Sequence, residues 1–174
     1  MDSSVTAPCL SPSDVMAVID AAAKKPQHTG ALHNKTRTNP LSRRCSIVWL
    51  HPPEIRTVFQ KVFAAIETAN QSSWQIDFDA LEAAQYTEYS FLGHYGQHID
   101  LGDGPIARRK ISASVNLSSP ASFGGGRLTT WRGPTSNKLG EITIFPSYLP
   151  HKVSPVWWGK RRSLVFWATG EKYK

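Results

Sequence analysis

Two histidines and one aspartate are the residues most able to hold a metal ion together. His98 and Asp100 lie two apart at the end of YSFLGHYGQHID, just past a run that reads as a strand, and side chains two apart on a strand point the same way. His151 comes later, in FPSYLPHKV, after another strand and the proline that breaks it. Two imidazoles and one carboxylate on one face of a metal, with the other face open, form the facial triad of non-haem Fe(II) oxygenases. The open face is where O2 and a cosubstrate must bind. A His-x-Asp alone is commonly a hydrogen-bonded surface pair, so the flanking sequence has to decide.

The flank after His151 reads HKVSPVWWGKRRSLVFW and contains Arg161. A guanidinium is planar and permanently charged, and it grips a carboxylate with two parallel hydrogen bonds where a lysine offers a point charge. Alternation puts Arg161, Ser163, Val165 and Trp167 on one face of a strand and Arg162, the adjacent alternative, on the other.

Three blocks in order, YSFLGHYGQHID, KISASVNLSSPASFGGGRL and FPSYLPHKVSPVWWGKRRSLVFW, resemble 2-oxoglutarate and Fe(II)-dependent dioxygenases of the prolyl and lysyl hydroxylase type, including bacterial prolyl 4-hydroxylase-like enzymes. The likeness runs over residues 44–170. It implies a double-stranded β-helix, or jelly roll, with His98, Asp100 and His151 as iron ligands and catalytic centre. It also implies that Arg161 binds the distal carboxylate of 2-oxoglutarate, with Ser163 as a second contact. Asn116, Ser114 and Tyr89 are expected to reach the cosubstrate. Tyr95 and Trp167 are expected on the substrate side, with Trp167 as an aromatic wall above the metal.

The implied reaction hydroxylates an unactivated C–H bond with O2, converts 2-oxoglutarate to succinate and CO2, and uses ascorbate as reductant. Asp100 favours hydroxylation over halogenation, because related halogenating enzymes lack that carboxylate to make room for halide. A prolyl or similar amino-acid residue is the expected substrate. Arg108 and Arg109, in the short segment after Asp100, could attract a carboxylate, which makes a free amino acid or small natural-product precursor the alternative. From another class, a non-catalytic cupin-like metal-binding protein could use the same three ligands.

The elements that must position these residues divide the chain in two. Pro12 and the apolar positions Val15, Met16, Val18, Ile19 and Ala22 predict a helix starting at Ser11 or Ser13. A second helix follows Pro52-Pro53-Glu54, with Ile55, Val58, Phe59, Val62, Phe63 and Ile66 at helical spacing. Residues 26–44, with His28, Gly30, His33, Asn34, Asn39 and Pro40, read as a loop. Strands are predicted at 45–50, 83–90, 110–117, 127–131, 141–145 and 162–169, punctuated by Gly and Pro. Helices followed by strands predict an α+β domain spanning 1–174, with helical support at about 11–70 and the jelly-roll core at about 75–170.

On the strand KISASVNL, Ser112, Ser114 and Asn116 share one face and Ile111, Ala113, Val115 and Leu117 the other. Alternation alone lets the polar row face solvent; the family likeness turns it into the barrel. Gly124-Gly125-Gly126 lacks the Gly-Lys-Ser/Thr of a phosphate loop and reads as a bulge or turn. Trp157-Trp158 reads as packing under the barrel rim, or as an exposed platform at the pocket mouth. His28, His33, His51 and His94 read as structural or solvent-facing.

The 174 residues carry 40% hydrophobic and 19% charged side chains, a globular balance, and a net charge of +7. The Lys and Arg are too scattered for a nucleic-acid tail, and a nucleic-acid partner is not expected. There is no membrane-length apolar run and no positively charged leader, so a cytoplasmic protein is expected, with Cys9 and Cys45 as free thiols. Nothing here sets an oligomeric state.

Overall fold

The computed structural model describes residues 4–30 and 41–172. In chain order it contains β1 (Val5–Pro8), α1 (Pro12–Ala23), β2 (His28–Thr29), β3 (Arg43–Arg44), β4 (Ser46–Leu50), α2 (Arg56–Ser73), β5 (Ala80–Leu81), β6 (Ala84–Tyr89) and β7 (His94–His98). The second half adds β8 (Arg109–Asn116), β9 (Phe123–Gly125), β10 (Leu128–Thr130), β11 (Gly133–Pro134), β12 (Glu141–Pro146), β13 (His151–Val153), β14 (Val156–Gly159) and β15 (Arg161–Thr169).

Helix α1 starts from a capping box. The Ser11 hydroxyl accepts from the Asp14 N–H, the Asp14 carboxylate accepts from the Ser11 N–H, and Pro12 occupies the first turn. Helix α2 begins after a turn at residues 52–54 and buries Val58, Phe59, Val62 and Ile66 on one stripe. Both stripes pack on one face of a large antiparallel sheet of order β1-β12-β8-β15-β6-β4-β2, with β5 beside the end of β15. Phe59 meets Phe166 edge-on at 5.0 Å. The larger core lies here, between helices and sheet.

A smaller sheet, β11-β10-β13-β7-β3, covers the opposite face, and β9 and β14 form a separate ribbon. From β6 onward the chain alternates between sheets: β6 large, β7 small, β8 large, β10 small, β12 large, β13 small, β15 large. That winding is the jelly roll, and it brings residues far apart in sequence to one cavity between two sheets.

The long alternating strands fall within a few residues of their predicted positions. The α+β reading misses β1, which precedes the helices and pairs with β12. The stretch expected as loop contains β2, paired with β4, and β3, paired with β7. His33, Asn34, Asn39 and Pro40 lie outside the described residues. Cys9 and Cys45 are free thiols; burial raises the pKa of both, that of Cys9 to about 11. Among the described residues no helix is long and apolar enough to cross a membrane.

Candidate active site

His98 is the last residue of β7 and His151 the first of β13, and the two are cross-strand partners in the small sheet. The turn after β12 carries the chain between sheets, and there Ser147 C=O accepts the N–H groups of Asp100 and Leu101 at 2.9 and 3.1 Å. Asp100 is thereby held beside both imidazoles. Its Oδ1 is 3.6 Å from His98 Nε2 and its Oδ2 is 3.4 Å from His151 Nε2, and neither contact is a hydrogen bond. One donor atom from each residue fits within a 4.8 Å cluster.

The second nitrogen of each ring fixes its orientation. His98 Nδ1 lies 2.8 Å from Gly96 O and His151 Nδ1 3.0 Å from Leu149 O. A ring N–H held by a carbonyl leaves the Nε2 lone pair aimed inward, the arrangement of a metal-binding imidazole. Burial and the neighbouring His151 push His98 down to about 4, so its ring is neutral near pH 7. Burial would raise the Asp100 pKa, but His151, His98 and the Ser112 hydroxyl outweigh it and hold the carboxyl below its usual value. The Trp167 indole N–H contributes in the same direction, although it makes no hydrogen bond of ordinary geometry. A gap between two inward-facing imidazoles and a carboxylate fits a divalent cation.

Across the cavity Arg161 is only 4% exposed and forms no ion pair among the described residues. Its guanidinium donates to Ser163 Oγ at 3.2 Å and sits 5.5 Å from the Tyr89 ring centre. Burial lowers its pKa, opposed by Tyr89. A buried cation with no anion is expensive unless a ligand brings the anion. Gly126 makes room for it: φ is +57° there, and a Cβ would lie 3.0 Å from Arg161 Cδ. The three-glycine run is thus a close-packing device beneath Arg161 and the tryptophans of β14.

His98, Asp100, His151, Arg161, Ser163, Tyr89, Tyr95, Trp167 and Ser114 all line one cavity of about 360 Å3. Tyr95 stacks on His98 at 3.5 Å, and Trp167 and Trp49 meet at 6.0 Å, tilted by 43°. Two of the expected residues are not brought to this cavity. Asn116 does not line the cavity, because its amide turns away to donate to the carbonyls of Ser118 and Asn137. Arg108 is tied to Gly170 O and Asp79 outside, since the single turn of 3-10 helix before β8 turns Arg109 inward instead. Arg162 pairs with Glu88 on the outer side, as alternation requires. The ring nitrogens of His94 lie 2.9 and 3.1 Å from the carbonyl oxygens of Leu92 and Leu41, off this cavity. Trp157 and Trp158 are exposed on β14 and do not line it either.

Sequence reasoning missed Arg43, which enters the cavity from β3, bonds Gln85 at 2.6 Å and lies 4.5 Å over the Tyr95 ring. It stood in a stretch without periodicity. Gln85, Thr87 and Trp49 were also missed, although β-alternation from Tyr89 back along β6 would have found the first two.

Residues 84–169 match the model of the 2OG-Fe(II) oxygenase superfamily, a span that includes His98, Asp100, His151 and Arg161. Over that span the chain is similar to that superfamily. A PKHD-type hydroxylase of Crocosphaera subtropica is 30% identical over 122 residues, 66% of this chain and 55% of that protein. The chain thus spans about half the length of that relative. The fold is shared with a Pseudomonas putida prolyl-4-hydroxylase, at TM-score 0.78 and 19% identity, covering 98% of this chain and 94% of that one. It is shared too with a Trichoplax adhaerens prolyl hydroxylase solved with a hypoxia inducible factor peptide fragment, at TM-score 0.79 and 16% identity, covering 97% and 84%. Fe(II) and 2-oxoglutarate are accordingly the groups this cavity is asked to fit, and its cationic floor and three-ligand cluster suit them.

Proposed function

We propose that this chain is an Fe(II)- and 2-oxoglutarate-dependent hydroxylase acting on an unactivated C–H of a prolyl or similar amino-acid residue in a peptide. Succinate and CO2 are the co-products. The observation that carries the reading is Arg161: a buried guanidinium with no anion among the described residues, facing the cavity that holds His98, Asp100 and His151.

In this reading His98 Nε2, His151 Nε2 and one Asp100 oxygen hold Fe(II), and Arg161 with Ser163 binds the distal carboxylate of 2-oxoglutarate by charge-assisted hydrogen bonds. Bound together, iron and cosubstrate supply the O2 activation and oxidative decarboxylation that turn C–H into C–OH. The protein positions the reactants and excludes water. Tyr89, 4% exposed, packs beside Arg161, so its ring screens the ion pair. Tyr95, Trp49 and Trp167 offer flat apolar surfaces near the metal ligands, suited to a ring or methylene chain.

The support for a small carboxylate-bearing substrate weakens, because both arginines that suggested it are spent. Arg108 faces Asp79, and Arg109 is clasped by Glu82 at 2.9 and 2.7 Å while lying 3.7 Å over Trp167. A peptide substrate also agrees with the fold neighbour solved with a peptide fragment. Succinate release measured over proline-containing peptides and free amino acids tests the reading. Stimulation by a peptide supports it; stimulation by free amino acids alone overturns the peptidyl assignment. A folded, iron-loaded protein that never binds 2-oxoglutarate would instead be a metal-holding binding protein.

A further inference from the structure

The polar row of β8 does not serve the cosubstrate throughout. Ser112 Oγ lies 2.7 Å from Asp100 Oδ2, and Ser147 Oγ lies 2.9 Å from Ser112 Oγ. Both serines are fully buried, at 0% exposure. An ionised carboxylate only accepts, so Ser112 must donate its single proton to Asp100, and its oxygen is then free to accept from Ser147. The direction of the chain is therefore fixed: Ser147 to Ser112 to Asp100.

Ser147 also grips the backbone beneath the ligand. Its carbonyl accepts from Asp100 and Leu101, and its N–H donates to Lys110 O at 2.9 Å. Asp100 is held from two elements, β8 and the turn between β12 and β13. A hydroxyl pair shut away from water gains little net stability, because its hydrogen bonds replace equally good ones to solvent. Two alanines would fill a core as well. What the pair supplies is orientation.

We propose that Ser112, with Ser147 behind it, is a positioning residue that restrains Asp100 to bind the metal through one oxygen and so keeps a coordination position open; this rests on reading the site as an Fe(II) centre. A free carboxylate can approach a divalent ion through either or both of its equivalent oxygens. The charge-assisted bond engages Oδ2 and pins the carboxylate plane. Hydrogen-bond partners of metal ligands typically change metal affinity 10- to 100-fold when removed.

The test titrates Co(II) into the metal-free full chain, following the visible d–d spectrum, with the melting temperature of each metal-free protein as the control for folding. Ser112→Ala is expected to weaken Co(II) binding by about 10- to 100-fold and to alter the spectrum, with Ser112→Thr restoring both. Ser147→Ala should shift affinity the same way by less. The double variant should be no worse than Ser112→Ala, because Ser147 acts through Ser112. An unchanged spectrum and affinity in Ser112→Ala overturns the proposal. If Ser112→Ala fails to fold, Ser147→Ala decides by the same readout. Failure of the Fe(II)-centre reading looks different: wild-type protein that does not bind Co(II), or His151→Ala that binds it as tightly as wild type.

Discussion

On β15, Leu164, Phe166 and Ala168 turn toward the helices, while Arg161, Ser163, Val165 and Trp167 turn toward the cavity. Strand β8 is divided the same way: Ile111, Ala113 and Val115 lie in the helix-side core, and Ser112 and Ser114 face inward. Where the helices pack, one face of the large sheet is hydrocarbon. The other carries hydroxyls in a row and, among the described residues, a buried cation without an anion. Period-two alternation lets a single strand do both, so the helix-side face supplies the stability that the cavity face gives up. A substitution on one face should change folding, and on the other, ligand binding.

The largest effect is expected at His151. His151→Ala should remove metal retention and turnover altogether while leaving the metal-free protein folded, as metal analysis and circular dichroism would show. Phe166→Ala should do the reverse. It empties a fully buried ring site against Phe59 and should cost about 3–5 kcal/mol, lowering the melting temperature by on the order of 10 °C without altering the three metal ligands.

Arg161 sharpens the contrast. Arg161→Met should raise the 2-oxoglutarate requirement by about 100-fold, since charge-assisted hydrogen bonds contribute about 1.5–3 kcal/mol each. The same substitution should make the ligand-free protein melt higher, because a desolvated, unpaired charge is gone. A lower melting temperature would mean that the cavity face does stabilise the fold.

The smallest effect belongs to the helix cap, far from the site. Ser11→Ala should cost about 1 kcal/mol and leave cosubstrate binding unchanged. Lys61 and Ser11 hold Asp14 at about 2, below its ordinary value of 3.8. A depressed carboxylate pKa contributes stability that is fully present above the unfolded value and is lost as pH falls through the folded one. Melting curves of wild type should therefore drop between about pH 4 and 2 by more than those of Asp14→Asn, which lacks that titration.

Legibility in the sequence followed the same division. Strands β4, β6, β8, β12 and β15 are long enough to show alternation, and their two faces could be assigned residue by residue. The small sheet could not be read this way. Its strands β3, β11 and β13 have two or three residues each, rich in Gly, Pro, His and Arg, and are defined by their partners rather than by local pattern. Arg43 was hidden for that reason: only its pairing opposite Tyr95 brings it to the cavity. Arg161 and Ser163 were separable from Arg162 because β15 is regular. Arg108 and Arg109 were not, because the turn of 3-10 helix before β8 breaks the period. Asn116 shares a face with Ser114 by alternation, yet at the strand end two nearby carbonyls claim its amide. Ser147, in a turn, gave no signal at all.

The most direct test of the central claim is an anaerobic titration of the metal-free protein with Fe(II) and 2-oxoglutarate, following the weak visible charge-transfer band of the chelate. A saturable band in wild type, abolished in His151→Ala and appearing only at much higher 2-oxoglutarate in Arg161→Met, is the predicted result. No band in folded, iron-loaded wild-type protein, or one indifferent to Arg161, would contradict it.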